Sequence, residues 1–512
     1  MHSHSDSLAE LDSMQTSEFE VIHDRLEKNL DALMAASGHS TDVVVRRLKP
    51  VGHAQEMAII YIAGLVENDT IMNNIIEPLQ QMKAYQASIL ESVKQAVTVS
   101  ELKTAQSLHA ALISLYEGHT IILMDGQAIA YTGNSSGGER RNITEPTTQM
   151  IIRGPRDSFT ESIITNTALI RRKIRSPKLW LETFHLGTVS KTAVSIMYID
   201  GIVQPSIVEE VKKRIQNIKI DSILESGYIE EYIQDKTLTP FPTIQNTDRP
   251  DTSAAALLEG RVVIIVDGSP FVLIVPTLFN QFFQASEDYY QRWDVSSLIR
   301  LLRYVAFFIA SFAPAIYIAI TTYHQEMVPS PLLFTLAAQR EGTPFPAFIE
   351  AVIMELVFEV LREAAIRTGK AIGNSISIVG TLVIGQAAVE AGIVAAAMVI
   401  VVAITAISNF VLPSYNLGIA ARIIRFLFMA LAATLGLYGI TVGLIVMILH
   451  LCNLKSFGIP YLSSLAPYYK DDQQDVLIRL PRWMMIKRPA PFRNWNENRE
   501  SKNILENKLE KK

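Results

Sequence analysis

At about residue 297 the sequence changes the solvent it is written for. The charge-free runs Tyr304–Gln325, Ala371–Val389, Ala391–Ala421 and Phe426–Leu454 follow that point, whereas the part before it mixes polar and apolar residues throughout. A helix rises about 1.5 Å per residue and the hydrocarbon core of a bilayer is about 30 Å thick, so roughly 20 apolar residues cross it. The chain therefore reads as a soluble α/β region followed by an all-α polytopic membrane domain. The overall 49% hydrophobic and 19% charged content averages these two unlike halves. A net charge of −5 creates no field that would recruit nucleic acid. The single cysteine, Cys452, excludes an intramolecular disulfide and fits a reducing compartment for the soluble part. Met1–Ser40 lacks an apolar stretch behind a basic start, so no secretory signal is expected and the soluble half is expected to be cytosolic.

Residues 1–40 read as a polar tail followed by an amphipathic helix. From Ser17 to Gly38, Phe19, Ile22, Leu26, Leu30 and Leu33 recur on one face, which either packs on its own domain or docks on a partner. Two similar α/β subdomains are expected over 41–150 and 151–290, because the sequence repeats itself. Ala58-Ile-Ile-Tyr-Ile-Ala-Gly-Leu-Val66 returns as Ser195-Ile-Met-Tyr-Ile-Asp-Gly-Ile-Val203, and Ser88-Ile-Leu-Glu-Ser92 as Ser222-Ile-Leu-Glu-Ser226. Glu117-Gly118 and Asp125-Gly126 return, at the same spacing, as Glu259-Gly260 and Asp267-Gly268. In each copy a strand precedes an apolar-periodic helix (Ile71–Gln86, Ile207–Ile218), and a hairpin turns at Asp-Gly, where positive φ is needed. The basic run Leu169-Ile-Arg-Arg-Lys-Ile-Arg175 reads as a salt-bridge surface between subdomains, with nucleic acid or anionic lipid as the other possibility. Thr237–Ser253, rich in Pro, Thr and Asp, reads as a loop inserted in the second copy.

The membrane domain is expected over 291–469, with segments near 298–323, 346–366, 372–412 and 426–454, and a basic cytosolic tail over 470–512. Arg292, Arg300 and Arg303 at the entrance, and Arg479, Arg482, Lys487, Arg488 and Arg493 beside Trp483 and Trp495 in the tail, follow the positive-inside pattern. Pro314 predicts a kink in the first segment. Phe345–Ile366 is as long as a span yet carries Glu350, Glu355, Glu359, Arg362 and Glu363. Glu355, Glu359 and Glu363 share one helix face, and a carboxylate at the bilayer centre costs about 2.5–3.5 kcal/mol. That face lies along the interface, lines a watery cavity, or meets another subunit. The next segment is dense in Gly and Ala, which suits close helix packing in lipid, and carries Gln386 and Glu390 four residues apart. Gly436, Gly439 and Gly443 mark flexible or close-packed points in the last span. Four crossings keep both termini cytosolic but place Arg422 and Arg425 on the outer face, against the same rule. Splitting 372–412 into a hairpin moves those arginines inside but leaves the tail outside.

No nucleotide-loop, zinc-protease, CxxC or nucleophile-elbow pattern occurs, and Gly133-Asn-Ser-Ser-Gly-Gly138 lacks the Lys-Ser/Thr of a phosphate loop. No enzyme activity, metal or cofactor is expected.

Gly154-Pro-Arg-Asp-Ser-Phe-Thr-Glu-Ser162, Ser286-Glu-Asp-Tyr-Tyr290, Tyr323-His-Gln-Glu-Met-Val-Pro329, Arg340-Glu-Gly-Thr-Pro-Phe-Pro346, Leu361-Arg-Glu363, Ile376-Ser-Ile-Val-Gly-Thr-Leu-Val-Ile-Gly385 and Phe457-Gly-Ile-Pro-Tyr461 together resemble the A subunits of spore germinant receptors. The resemblance runs from roughly Thr41 to Pro491. It implies a multi-pass protein of the spore inner membrane that acts with a transporter-like B subunit, the main binder of the nutrient, and a lipoprotein C subunit. It further implies a homo-oligomer, a pentamer, forming or gating a cation channel that triggers germination. On that reading Glu355, Glu359 and Glu363 are pore or vestibule charges and Gln386 and Glu390 an intramembrane polar pair. The alternative is a membrane-anchored scaffold that relays the signal without conducting.

Overall fold

The computed structural model describes residues 21–50, 55–82, 89–138, 146, 149, 151–367, 384–494, 496 and 498–499. The chain divides into two compact units: Met1–Gln234, Ile244–Pro276 and Lys487–Arg499 form one, and Asp235–Thr243 with Thr277–Ile486 belong to the other.

In the first unit, α1 (Leu26–Ala36) buries Leu26, Leu30 and Leu33 against the first sheet, with Ile22 beside them. The helix thus packs on its own domain; Phe19 lies outside the described residues. The first sheet contains β1 (Val43–Leu48), β2 (Met57–Ile62), β3 (Leu102–Ala105), β4 (His119–Met124) and β5 (Ala130–Asn134), in the antiparallel order β1-β2-β4-β5-β3. Alternation along its strands sends successive side chains to opposite faces. Ala58, Ile60, Ile62, Ile121 and Leu123 join α1 and α3 (Leu108–Tyr116) in one core. Met57, Ile59, Ile122 and Met124 meet Ile71, Ile75, Leu79 and Val93 in another, so helices cover both faces. The helix expected from Ile71 is a chain of short pieces, Asn68–Ile71, Met72–Ile76 (a π-helical turn) and Glu77–Gln80; residues 83–88 are outside the described set. Then comes α2, Ile89–Ala96.

The second sheet, β6 (Leu179–Leu186), β7 (Thr192–Ile199), β8 (Gln245–Thr247), β9 (Val262–Val266) and β10 (Val272–Val275), has the corresponding order β6-β7-β9-β10-β8. It carries α4 (Ile163–Lys173), α5 (Pro205–Gln216), α6 (Ser226–Ile233) and α7 (Pro250–Leu258). The matched strand segments fall on β2 and β7, and both Asp-Gly pairs follow the matched strands β4 and β9 in their hairpins. α3 and α7 each end at Glu-Gly, with Gly118 and Gly260 both at φ 92°, the left-handed position that ends a helix at least cost in glycine. The stretch expected as an inserted loop, Thr237–Ser253, instead holds β8 and the start of α7, the counterparts of β3 and α3. Pro250 sits at the first helical turn, where its missing N–H leaves no bond unmade, so proline there opens a helix rather than breaking one.

The basic run on α4 is a junction between the repeats. Arg171, with no exposed surface, holds the Asp42 carboxylate and donates to the Leu179 carbonyl at 3.0 Å. Arg172 donates to the Gly137 carbonyl at 2.8 Å, and Lys173 pairs with Asp157.

The second unit is helical: α8 (Trp293–Thr322), α9 (Ser330–Glu341), α10 (Ala347–Arg367), α11 (Gly385–Glu390), α12 (Ala396–Val411) and α13 (Tyr415–Asn453). Among the described residues α8 and α13 are long and apolar enough to cross a membrane, and α12 is a shorter apolar helix. α8 runs on through Pro314. Most of Ala371–Val389 lies outside the described residues. The runs Ala391–Ala421 and Phe426–Leu454 do not correspond to two helices: the break comes at Leu412–Ser414, where Ser414 caps α13, and both Arg422 and Arg425 lie inside that helix.

The assigned length of α13 conceals a reversal. Gly436 has φ 61° and ψ −142°, outside helical space. Phe428 and Gly443 are 15 residues apart, about 22 Å in a straight helix. Yet a Cβ on Gly443 would stand 2.8 Å from the Phe428 ring, and one on Gly439 2.3 Å from the Leu431 carbonyl. Residues 415–435 and 437–453 are therefore two antiparallel arms meeting at Gly436, and the glycines are where the arms touch.

Candidate functional site

Side-chain pairs fix the direction of each helix in the second unit. Arg425 on the first arm of α13 donates to the Ala310 carbonyl at 2.7 Å, Phe428 packs edge-on to Phe312 at 4.6 Å, and Tyr323 reaches Ala433. The first arm is thus parallel to α8. α10 runs against it, since Glu355 meets Arg425 and Glu359 meets Arg422. α12 runs with α10: the Glu350 carboxylate accepts the Ala395 N–H at 3.0 Å near one end, and Phe358 lies against Phe410 near the other.

These directions bring the acidic face of α10 onto the two arginines of α13. On a helix, residues three and four apart share a face, so Glu355 and Glu359 present two carboxylates one above the other, and Arg422 and Arg425 present two matching cations. Glu355 and Arg425 are fully buried and joined by a charge-assisted hydrogen bond; Glu359 and Arg422 meet at 2.6 Å and are partly exposed. Arg362 extends the ladder, its guanidinium 5.8 Å from the Phe410 ring centre and 5.6 Å from that of Tyr415. Among the described residues, Glu355 Oε1, Glu359 Oε1, Arg422 Nε and Arg425 Nη2 are buried without a hydrogen-bond partner. Buried polar atoms left in that state cost about 1–3 kcal/mol each.

The other carboxylates identified from the sequence lie elsewhere. Glu363 is exposed and pairs with Arg367 one turn on, at 2.6 Å. Gln386 donates to Glu390 at 2.8 Å on α11, both exposed. Arg422 and Arg425, weighed in the sequence only for their side of the membrane, are the ladder's cations, and Glu350, counted there only among the charges of its segment, is buried beside it with its other oxygen accepting from Thr343 at 3.3 Å. A signal existed, since arginines at i and i+3 in an apolar stretch match carboxylates at i and i+4.

A second charge cluster closes the start of α8. Arg300 and Arg303, expected as part of a positive cluster on the cytosolic side of the first span, turn inward on Asp288 at 3.1 and 2.8 Å, and Arg300 also binds Asp475 at 2.8 Å. Tyr289 donates to Asp475 at 2.7 Å. Two residues of the basic tail are likewise turned inward: Arg479 and Arg488 are buried and donate to the carbonyls of Gln291 and Leu258, whereas Arg482 and Lys487 are exposed and Trp495 lies outside the described residues. Among the described residues no group of three or more His, Cys, Asp or Glu side chains is placed to hold a metal ion.

"Spore germination protein KA" of Bacillus subtilis (strain 168) is 48% identical over 94% of this chain and 89% of its own length. "Uncharacterized membrane protein YfkQ" of the same organism is 45% identical, over 94% of each chain. The crystal structure of the N-terminal domain of the A subunit of the Bacillus megaterium spore germinant receptor GerK3 aligns with 39% identity and a TM-score of 0.41, covering 51% of this chain and 98% of that one. The family described as Bacillus/Clostridium GerA spore germination protein matches residues 31–491, and the chain belongs to that family of germinant receptor A subunits.

Proposed function

We propose that this chain is the A subunit of a nutrient germinant receptor in the spore inner membrane, and that it assembles as a pentameric ring that forms or gates a cation channel. A transporter-like B subunit, which binds the nutrient, and a lipoprotein C subunit complete the receptor. The observation that carries the reading is the ladder of Glu355–Arg425 and Glu359–Arg422 inside an otherwise apolar bundle. Charges in a membrane interior are kept only where they pair or meet water, and unpaired polar atoms on the ladder favour water reaching it. Glu363 and the Gln386–Glu390 pair are exposed on a single chain, which in a bilayer calls for an aqueous lumen or a neighbouring subunit. Rings of carboxylates in such positions select cations.

The helix directions support six passes rather than four. α8, α10, α12 and the two arms of α13 account for five, and because α10 and α12 run in the same direction we place one further pass between them. Six passes keep both termini cytosolic. They also remove the difficulty over Arg422 and Arg425, which are ladder partners rather than flanking charges. Strongly exposed apolar side chains on α8 and α13, among them Leu298 at 69% and Tyr438 at 69%, are consistent with lipid contact.

Reconstitution in planar bilayers tests the proposal. A channel carries cation current that Glu363→Gln and Glu390→Gln alter in ion preference, and the same changes alter nutrient-triggered K⁺ release from spores. An assembled but electrically silent protein instead assigns the chain to the scaffold role.

A further inference from the structure

The two repeats of the α/β unit differ in how they are closed. In the first, the chain leaving β5 turns back along the segment after β2. Glu67 N–H donates to the Ser135 carbonyl at 2.9 Å, Gly137 N–H to the Leu65 carbonyl at 3.1 Å, and Val66 bridges Ser136. Gly118 packs beneath this return, 3.3 Å from Ser136 if it carried a Cβ. In the second repeat the chain cannot make that return, because after β10 it leaves the unit at Pro276.

The vacated place is taken by the C-terminal segment. By the match of Ala58–Val66 with Ser195–Val203, Leu65, Val66 and Glu67 correspond to Ile202, Val203 and Gln204. Gln204 donates to the carbonyls of Pro491 at 3.3 Å and Arg493 at 2.8 Å, and Asn494 donates to the Val203 carbonyl at 2.6 Å. A Cβ on Gly260, the counterpart of Gly118, would stand 2.9 Å from the Phe492 carbonyl. The Phe492 side chain is completely buried, with the Arg261 guanidinium 6.0 Å from its ring centre, and Arg488 donates to the Leu258 carbonyl at 2.6 Å.

We propose that the second repeat contains a peptide-binding groove, bounded by Ile202–Gln204 and Leu258–Arg261, whose occupant is residues 488–494 of the same chain. The segment replaces the return that the first repeat supplies for itself. Recognition rests on one buried aromatic anchor, Phe492, at the end of the 3-10 turn Ala490–Phe492, and on side-chain amides that read backbone carbonyls on either side of it. Because the chain leaves this repeat at Pro276 and comes back at Lys487, docking fastens both ends of the intervening segment to one subdomain.

The test uses the full chain in detergent with a protease site inserted between Ile486 and Lys487. After cutting, the C-terminal fragment should co-elute with the body. In Phe492→Ala or Gln204→Ala chains it should dissociate at least about tenfold faster, as expected on losing an anchor worth more than about 1.4 kcal/mol. Should either variant fail to fold, a synthetic peptide of residues 487–499 added to the cut wild-type chain must displace a labelled fragment while its Phe492→Ala version does not. Immediate loss of the wild-type fragment, equal retention in both variants, or equal displacement by both peptides overturns the proposal. Two differently tagged chains mixed before cutting give its last check: a tag found on the other chain's body assigns the groove to an adjacent copy and overturns occupancy by the chain's own tail.

Discussion

The Tyr323 hydroxyl donates to the Ala433 carbonyl at 2.8 Å and to that of Thr434 at 3.2 Å, the carbonyls that Gly436 releases when it reverses the helix. A residue just past the end of α8 thus supplies the hydrogen bonds that α13 gives up at its turn. Tyr323→Phe keeps the ring and removes the bonds, so it should destabilise the helical unit by about 1–2 kcal/mol. Thermal unfolding in detergent measures this, and Tyr323→Phe spores should differ from wild type in the rate of nutrient-triggered K⁺ release if the turn moves on gating.

Glu355 and Arg425 test the ladder. Removing one partner strands the other charge out of water, at a cost of about 3–5 kcal/mol, whereas removing both leaves only a packing change. Glu355→Gln and Arg425→Leu should each lower folded yield and thermal stability sharply. The double variant should recover most of the loss, giving a coupling energy above about 1 kcal/mol in a double-mutant cycle. Additive losses would show that the pair contributes nothing beyond its separate residues. At the exposed Glu363–Arg367 pair the same cycle should give at most about 0.5 kcal/mol.

The repeat was legible because β2 and β7 are buried in like surroundings and so retain like sequences, and because the turns after α3 and α7 tolerate little but glycine. Thr237–Ser253 was misread because proline, threonine and aspartate are also the residues that start helices and end strands. The ladder was half legible. The cost of burying Glu355 and Glu359 follows from the sequence alone, but their partners lie 70 and 63 residues away, respectively, and are fixed only by the antiparallel packing of α10 on α13. The charge-free runs also end at the very arginines that complete the site, so hydropathy separates Arg422 and Arg425 from the helix that carries them. The reversal at Gly436 was invisible for a similar reason: glycine in an apolar run serves close packing and sharp turns equally well, and only the neighbours of Gly439 and Gly443 distinguish them.

Asp42 and Arg171 join the two repeats through a buried, doubly hydrogen-bonded ion pair, one contact of which measures 2.7 Å. The Arg171 guanidinium also lies 5.2 Å from the Tyr116 ring centre, and burial pushes the Tyr116 hydroxyl up to about 12, so it stays protonated throughout the working range. Asp42→Ala should cost about 3–5 kcal/mol by stranding Arg171. Hydrogen exchange should locate the loss at the junction, with faster exchange at Thr41 and Leu181, whose backbone groups link the repeats there. Lys103→Ala, which breaks an exposed pair with Glu101, should change stability by less than about 1 kcal/mol.

Glu230 gives the α/β unit a pH dependence of its own. Burial raises its carboxyl to about 7, and the neighbouring Glu225 adds repulsion, against a hydrogen bond from Asn246 that acts the other way. Glu225 is held below the usual carboxylate range despite its own burial, because Ser226, Ser269 and the Gly227 N–H all donate to it, at 2.5, 2.6 and 2.6 Å. A carboxyl whose folded value is raised binds its proton more tightly in the folded state. Its contribution is therefore most favourable below the unfolded value of 4.5, declines as pH rises through about 7, and is level above that. The whole span, from 4.5 to about 7, is worth about 3–4 kcal/mol at 1.36 kcal/mol per pH unit. Glu230→Gln should match wild type near pH 4.5 and exceed it by that amount at pH 8, measured by exchange protection of the β10 amides Val272–Val275. Glu225→Gln should do the reverse, since a depressed carboxylate stabilises at high pH and loses its contribution on acidification. Parallel wild-type and Glu230→Gln curves from pH 4.5 to 8 would mean that folding does not raise the Glu230 carboxyl above its unfolded value.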